Sequence, residues 1–323
     1  KEWTVRGEES ALVEDGKVAF GGDEAGSCRA NVVLRAAERV LRKVGSFPAT
    51  TVEELFQGTK ALPWEEFIPE DGKFWVAKAN SIKSKLFSPS DIQSIMKKAM
   101  VERLKTVYHR ERFEETGAEY PIRVSILKDE VLIGLDTSGV SLHKRGYRQM
   151  TAPAPITETL ASALILFTPW KKDRILVDPF CGSGTFPIEA AMLAANMAPG
   201  MKRHFLAEKW ENLIPIRHFQ DAKEEAADLV DLSVETDIQG YDIDGEIIKA
   251  ARANAKMAGV DHLIHFQQRQ VSELSHPQKY GFVITNPPYG ERLEEQKNHT
   301  ALYTEMGDAF HSLASCSEYV ITA

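Results

Sequence analysis

The distribution of apolar residues changes near residue 150, and the two parts of the chain predict different kinds of fold. In the first part, apolar residues recur mainly at helical spacing, as in Ala30, Val33, Leu34 and Ala37. Two short runs separated by a turn have instead the composition of a β-hairpin. The predicted elements are helices over 24–44 and 51–57, a longer helix capped by Ser88 or Ser90, and strands over 122–127 and 131–135. This combination predicts an α+β fold.

In the second part, short apolar runs alternate with helical patterns, which is typical of a parallel sheet with helical crossovers. The predicted strands cover 174–177, 238–241, 265–268, 282–285 and 318–321, and the predicted helices cover 186–197 and 245–257. Parallel strands end at one edge of their sheet, so polar residues that follow these strands are expected to meet there. A doubly wound sheet normally continues further, so we expect the sequence to be part of a longer chain.

Composition narrows the class of protein. No run of about 18 consecutive apolar residues occurs, and residues 1–10 lack the apolar core of a secretory signal. We therefore expect neither a membrane-spanning nor an exported protein. Cys28, Cys181 and Cys316 are far apart and odd in number, which argues against a disulfide framework and against a clustered zinc site. These features predict a cytoplasmic protein.

The charged residues are distributed unevenly. The chain carries 39 Lys and Arg against 47 Asp and Glu, a net charge of -8, and the acidic excess lies in residues 151–323. Two basic clusters stand out in the nearly neutral first part: Lys78, Lys83, Lys85, Lys97 and Lys98 in one, and Lys144, Arg145 and Arg148 in the other. Each cluster is either a solvated face or a local site for a polyanion such as RNA.

A glycine-rich turn follows the first predicted strand of the second part, with the sequence Asp178-Pro179-Phe180-Cys181-Gly182-Ser183-Gly184-Thr185. Glycines let a ligand approach the backbone, and the start of the next helix offers free N–H groups to oxygen ligands. A tight turn without a ligand is the alternative. The turn lacks the lysine of a phosphate-binding loop, and Pro187 replaces the third glycine of the dinucleotide motif, so phosphate binding is disfavoured. Cys181 is interpreted as a small turn residue rather than a nucleophile.

Two further motifs follow later strands. Asp242 ends the second strand beside the glycine turn, where a carboxylate can accept both hydroxyls of a ribose, whereas Asp244 is better placed to cap the next helix. Asn286, Pro287, Pro288 and Tyr289 follow the fourth strand. The two prolines fix the backbone so that the Asn286 amide oxygen and the Pro287 carbonyl can accept hydrogen bonds from one planar amino group, and Tyr289 offers a ring face for an extruded base. A proline turn leaving the sheet is the alternative.

In this order, the three motifs resemble the first, second and fourth motifs of S-adenosylmethionine-dependent methyltransferases that modify exocyclic amines of bases. The resemblance covers residues 151–323 and implies S-adenosylmethionine as the cofactor. It also implies that residues 154–161 form a helix lining the methionine side of the cofactor. Gln270 occupies the place of an acidic residue that often binds the cofactor adenine, and its amide oxygen can accept the same bond. The implied cofactor-binding residues are Pro155, Thr159, Asp178, Phe180, Cys181, Gly182, Gly184, Thr185, Asp242, Ile243 and Gln270.

The first part resembles a THUMP domain, an RNA-binding module preceded by a ferredoxin-like segment. The resemblance rests on residues 81–87 and on residues 136–139, which run into Leu142-His143-Lys144-Arg145-Gly146-Tyr147-Arg148. With the methyltransferase motifs and the insertion 198–210, the chain resembles bacterial THUMP-containing guanine-N2 methyltransferases of large-subunit ribosomal RNA. The implied domains are a ferredoxin-like segment over 1–48, a THUMP domain over 49–150 and a methyltransferase domain over 151–323, the first and last incomplete.

The expected fold is therefore an α+β N-terminal region followed by an α/β doubly wound Rossmann-like methyltransferase domain. RNA contacts are expected from Lys83, Lys85, Lys144, Arg145 and Arg148, and methyl transfer from Asn286, Pro287 and Tyr289. The implied target is guanine N2 in 23S rRNA or a ribosomal assembly intermediate, without a metal, a membrane or an obligate protein partner. The alternatives are guanine-N2 methylation of tRNA, adenine-N6 methylation of DNA or RNA, and an inactive RNA-binding assembly protein.

Overall fold

A computed structural model of the 323-residue chain describes residues 11–14, 16–149, 155–275, 280–288, 296–313 and 315–321. The elements of the first part are β1 (Ala11–Glu14), β2 (Lys17–Phe20), α1 (Glu24–Val33), β3 (Leu41–Pro48), α2 (Val52–Ala61), β4 (Lys73–Ile82), α3 (Pro89–Tyr108), β5 (Glu119–Leu127) and β6 (Glu130–Asp136). Strands β3 to β6 form one sheet in the order β3-β6-β5-β4. The predicted hairpin is confirmed, because β5 and β6 pair antiparallel.

The predicted helices after residue 50 are confirmed, and their starts follow from side-chain caps. Thr51 accepts a hydrogen bond from the Glu54 N–H and forms a capping box at the start of α2. Ser88 caps α3, and Pro89 occupies its first turn, where the missing N–H is not needed. The apolar residues Ile92, Met96 and Met100 of α3 are buried.

The helix predicted over 24–44 is wrong beyond residue 33. Leu34 has extended backbone, and the chain then enters β3, which pairs antiparallel with β6. The apolar residues 40, 41 and 44 match helical spacing, but they also suit a strand, and pairing with the β5–β6 hairpin decides between the two. Gly45 lies at a register shift in this pairing rather than at a helix end, and a Cβ there would lie 2.5 Å from the Leu62 side chain.

The second part contains a parallel sheet flanked by helices. Its elements are α4 (Glu158–Phe167), β7 (Leu176–Asp178), α5 (Thr185–Ala194), α6 (Arg217–Asp228), β8 (Ile238–Asp242), α7 (Gly245–Ala258), β9 (Ile264–Gln268), β10 (Phe282–Thr285), α8 (Gln296–Ser312) and β11 (Ser317–Val320). The strand order is β11-β10-β7-β8-β9, and every pair is parallel. The predicted strands are confirmed, and the carboxyl ends of β10, β7 and β8 are adjacent.

The insertion between α5 and β8 packs into the core of the first part. The Trp210 ring stacks on Tyr120 with centroids 5.1 Å apart, and its indole N–H donates to the Glu119 carbonyl at 2.8 Å. Phe205 and Phe219 are buried in the same apolar cluster. Residues 198–226 therefore contribute to the N-terminal core, although the sequence prediction assigned them to the methyltransferase domain. The two parts are locked together by a shared core.

Within the described part of the chain, no helix is long and apolar enough to cross a lipid bilayer.

Candidate active site

The glycine turn begins with a buried carboxyl group. Asp178 is the last residue of β7 and is 1% exposed. Its Oδ1 accepts a hydrogen bond of 2.6 Å from the Thr285 hydroxyl and one of 3.2 Å from the Phe180 N–H. Burial raises the pKa of Asp178 to about 7, and the nearby Asp242 carboxylate also raises it, whereas the two hydrogen bonds lower it. Asp178 is therefore poised to change charge near neutral pH.

The backbone of the turn requires glycine. Gly182 and Gly184 have φ values of 51° and 89°, in the left-handed region. A Cβ on Gly184 would lie 3.0 Å from the Phe266 ring and 3.1 Å from the Ala251 Cβ. Gly184 is also the N-cap residue of α5, which begins at Thr185. The turn therefore places backbone without side chains, and the N-terminus of α5, at the edge of the sheet.

Cys181 is a buried part of this turn. Its N–H donates a hydrogen bond of 2.8 Å to the Tyr241 carbonyl of β8. Burial raises the pKa of the Cys181 thiol well above its ordinary value, and the neighbouring carboxylates act in the same direction. Because the thiolate is the nucleophilic form of cysteine, this environment supports the interpretation of Cys181 as a turn residue.

Asp242 joins the second motif to the first. Its Oδ2 accepts a hydrogen bond of 3.1 Å from the Gly182 N–H, and its Oδ1 accepts one of 3.0 Å from the Asp244 N–H. Burial raises the pKa of Asp242 above its ordinary value, and these backbone hydrogen bonds lower it. Asp244 caps α7 by accepting from the Glu246 N–H at 2.8 Å, as its position in the sequence predicts. Ile243, 66% exposed, offers an apolar surface beside Asp242.

A cavity of about 90 Å³ lies at this edge of the sheet. The residues that line it come from the glycine turn, the segment before α4 and the end of β10: Pro155, Ile156, Asp178, Phe180, Cys181, Gly182, Ser183, Thr185, Phe186 and Asn286. The predicted first and fourth motifs and Pro155 therefore meet in one place. Pro287 is buried directly after Asn286, and Tyr289 lies outside the described residues.

Five predicted cofactor residues do not line this cavity: Thr159, Gly184, Asp242, Ile243 and Gln270. Thr159 is buried, and its hydroxyl donates to the Glu38 carboxylate of the N-terminal part. Gln270 is exposed just after β9, at the start of a short 3-10 turn. The structure therefore uses Thr159 for a contact between the two parts of the chain.

The two arginines of the second basic cluster are largely turned inward, whereas its lysine is exposed. Arg145 is 5% exposed; it donates to the Leu142 carbonyl at 2.6 Å and lies 3.5 Å from the Glu189 carboxylate. Arg148 donates a hydrogen bond of 2.7 Å to the Thr185 hydroxyl, which lines the cavity of about 90 Å³. These intramolecular partners give no support to the predicted phosphate contacts of Arg145 and Arg148, which stay predictions. Sequence spacing did not show which side of the segment faces solvent.

The remaining predicted RNA residues are on the surface. Lys83, Lys85 and Lys144 are exposed, and none of the three ammonium groups has a carboxylate partner within the described part of the chain. The loop that carries Lys83 and Lys85 is held in place, because the Lys85 N–H donates to Asp129 at 2.7 Å and the Asp129 N–H donates to Ser84 at 3.0 Å.

Thr285 is a site residue to which the sequence prediction gave no role. It is the last residue of β10, one position before Asn286, and its hydroxyl contacts Asp178. The sequence feature that could have identified Thr285 is a hydroxyl residue at the end of an otherwise apolar, buried strand.

A second cavity, of about 570 Å³, lies at the opposite, amino-terminal end of the strands and is lined in part by Arg174, Gly281 and Ser317. Ligands of parallel sheets bind at the carboxyl ends, so this cavity is not the candidate site. Among the described residues, no cluster of three or more His, Cys, Asp or Glu side chains could hold a metal ion.

The sheet order, the glycine turn, the acid at the end of β8 and the asparagine after β10 define an S-adenosylmethionine-dependent methyltransferase of the α/β class. The chain belongs to the family UPF0020, described as an RMKL-like methyltransferase domain, which matches residues 145–323. A THUMP domain matches residues 49–136, and the RlmL ferredoxin-like domain matches residues 4–41. These matches confirm the predicted family and fold class, whereas the boundaries at residues 48 and 150 stay predictions.

Individual relatives agree with this assignment. The chain is 47% identical to YpsC of Bacillus subtilis, a provisionally named RNA methyltransferase, over 96% of this chain and 81% of that protein. It is 34% identical to ribosomal RNA large subunit methyltransferase K/L of Photobacterium profundum, over 94% of this chain but only 43% of that protein. The chain therefore spans less than half the length of this relative. The crystal structure of SMU.472 complexed with SAH (S-adenosylhomocysteine) has a TM-score of 0.90 and 42% identity, and the match covers 99% of this chain and 84% of that chain.

Proposed function

We propose that this protein transfers a methyl group from S-adenosylmethionine to the N2 amine of a guanine in 23S ribosomal RNA. The observation that carries the proposal is that Asn286 lines the same cavity as the glycine turn. The acceptor for a substrate amine and the residues assigned to the cofactor therefore share one site. When bound, the cofactor supplies an electrophilic methyl group on its sulfonium sulfur, so the protein mainly has to orient the amine.

The residues present fit this cofactor. The Asp242 carboxylate retains acceptor capacity for the ribose hydroxyls after its two backbone contacts, and the exposed Ile243 side chain offers an apolar face to the adenine. Asp178 is an ionisable group in the cavity wall, and its carboxylate would attract a cationic group of the cofactor. The left-handed Gly182 and Gly184 leave room at the turn for close approach of the cofactor.

The fourth motif would bind the target base. The Asn286 amide oxygen and the Pro287 carbonyl would each accept a hydrogen bond from the guanine amine, which draws its hydrogens aside and frees the nitrogen lone pair. This arrangement needs no charged base before transfer. Tyr289 would stack on the base after it leaves the RNA helix.

RNA binding is assigned to the surface of the N-terminal part. The exposed Lys83 and Lys85 suit phosphate contacts, and Lys144 adds a third positive charge. Phe87 follows in the same loop and is 81% exposed, so it offers a ring for stacking with an unpaired base. A chain with net charge -8 needs such a local site to hold RNA. The THUMP match over residues 49–136 supports this assignment.

The choice of target rests on the relatives, whose names include a ribosomal RNA large subunit methyltransferase. A direct test is to incubate the purified full chain with labelled S-adenosylmethionine and 23S rRNA from a strain that lacks the enzyme. We expect N2-methylguanosine after digestion to nucleosides, detected by mass spectrometry. N6-methyladenosine would favour the adenine alternative, and label only in tRNA would favour the tRNA alternative. Cofactor and RNA binding without any methylated product would favour an inactive assembly protein.

A further inference from the structure

Arg148 lies where the segment from the N-terminal part meets the cofactor cavity. One guanidinium nitrogen, Nη2, donates hydrogen bonds to the Ile156 carbonyl at 2.8 Å and to the Thr185 hydroxyl at 2.7 Å. The Nε atom lies 3.3 Å from Oε1 of Glu158. The Arg148 side chain is 13% exposed and the Glu158 side chain is buried, so this group of contacts lies largely out of solvent.

The partners of Arg148 belong to two different walls of the cavity. Ile156 lies in the segment that leads into α4, and Thr185 is the first residue of α5, directly after the glycine turn. Both residues line the cavity, whereas Arg148 does not. Arg148 therefore acts on the site through the residues that line it rather than by contacting a ligand. A planar guanidinium suits this task because its donors have fixed relative directions.

Neighbouring contacts hold the Arg148 segment itself in place. The Tyr147 hydroxyl donates to Glu189 of α5 at 2.9 Å, and the Ser162 hydroxyl of α4 donates to the other Glu189 oxygen at 2.5 Å. The Gln149 N–H donates to the Asn254 side chain of α7 at 3.1 Å. The backbone on both sides of Arg148 is thus anchored to the methyltransferase helices, so the guanidinium is presented from a fixed position.

We propose that Arg148 is a positioning residue that joins the two walls of the cofactor cavity and so sets the affinity for S-adenosylmethionine. The proposal rests on the assignment of this cavity to the cofactor. Without Arg148, the segment before α4 and the start of α5 lose their common hydrogen-bond partner. Cofactor binding would then have to order both segments, and this entropic cost would lower the affinity. Arg148 would then stabilise the cofactor site through contacts within the protein and would not bind RNA.

The test compares variants that remove the contacts without leaving a buried charge. Arg148→Met alone would strand Glu158, so the main variant is Arg148→Met combined with Glu158→Gln. Arg148→Lys keeps the charge but cannot hold three partners in one plane, and it serves as the conservative variant that is expected to fold. The matched control is Arg174→Met, an exposed arginine at the opposite end of the sheet.

Calorimetric titration with SAH should show affinity lowered roughly tenfold or more in the double variant, less in Arg148→Lys, and unchanged in Arg174→Met. The KM for S-adenosylmethionine should rise while kcat at saturating cofactor stays near that of the parent. The salt dependence of RNA binding should not change, because the Arg148 side chain lies largely out of solvent.

The outcomes separate this proposal from the cavity assignment. Parental affinity for SAH in Arg148→Lys and in the double variant, with weakened binding in Asp242→Ala, would overturn the role of Arg148 and leave the cofactor site intact. Parental affinity in Asp242→Ala as well would overturn the site itself. If the double variant does not fold, Arg148→Lys decides alone: a raised KM with parental kcat supports the proposal, and unchanged kinetics reject it.

Discussion

The hydroxyl of Thr285 donates a hydrogen bond of 2.6 Å to Oδ1 of Asp178, between the adjacent strands β10 and β7. Both side chains are buried. The hydrogen bond stabilises the ionised form of a carboxyl group that burial would otherwise keep protonated. The residue before Asn286 therefore influences the charge of the residue that begins the glycine turn, so these two segments are electrostatically connected.

This contact leads to a pH prediction. Burial raises the pKa of Asp178 to about 7, and a cationic cofactor group favours the carboxylate, so affinity for SAH should rise roughly tenfold between about pH 6 and 8 and then level off. Thr285→Val removes a hydrogen bond that lowers this pKa, so the midpoint should move to higher pH. Calorimetric titrations across this range measure both effects. A pH dependence that persists in Asp178→Asn would assign it to another group, such as Asp242.

Asp242 should contribute directly to cofactor affinity. Charge-assisted hydrogen bonds to the ribose are worth about 1.5–3 kcal/mol each, so Asp242→Ala should lower the affinity at least about tenfold. Asp244→Ala is the matched control, because Asp244 caps α7 and its loss should cost about 1 kcal/mol of stability without a comparable loss of affinity. Equal cofactor affinity in Asp242→Ala and the parent protein would rule out the ribose role.

Asn286 should act on the chemical step rather than on cofactor binding. Asn286→Ala removes the side-chain acceptor for the target amine and leaves the Asp178 and Asp242 contacts in place. Methyl transfer in a single-turnover assay should fall by roughly 10²-fold, with cofactor affinity little changed, since a preorganised polar partner acts mainly in the transition state. A variant with the parental transfer rate would show that another group orients the amine.

Exposed lysines, not the buried arginines, should carry the RNA contacts. Reversing Lys83, Lys85 and Lys144 to Glu should weaken RNA binding and flatten its dependence on salt, because fewer counterions are released. Affinity for SAH should stay at the parental value in the same protein. Filter-binding measurements at several salt concentrations provide the slope. An unchanged slope would identify these residues as a solvated face.

The inward orientation of Arg145 shows a limit of sequence reasoning. Lysine and two arginines within five positions form one basic cluster in the sequence, yet only Lys144 is exposed. Arg145 is buried because Glu189, 44 positions later, lies beside it. No local pattern reports a partner at that separation, so charge clustering alone could not separate a surface cation from a buried ion pair.

Local sequence patterns were sufficient to predict the strands of the parallel sheet and the edge at which the candidate site lies. Asp178 and Asp242 end two strands and Asn286 follows a third, and parallel strands must end at one edge, so local patterns were sufficient to place these residues at that edge. Only contacts between distant segments show that residues 41–48 form a strand, that residues 198–226 enter the N-terminal core, and that Arg148 contacts a residue lining the cavity. Each of these features depends on a partner distant in sequence, and the free energy of such a contact exists only after the chain has brought both partners together.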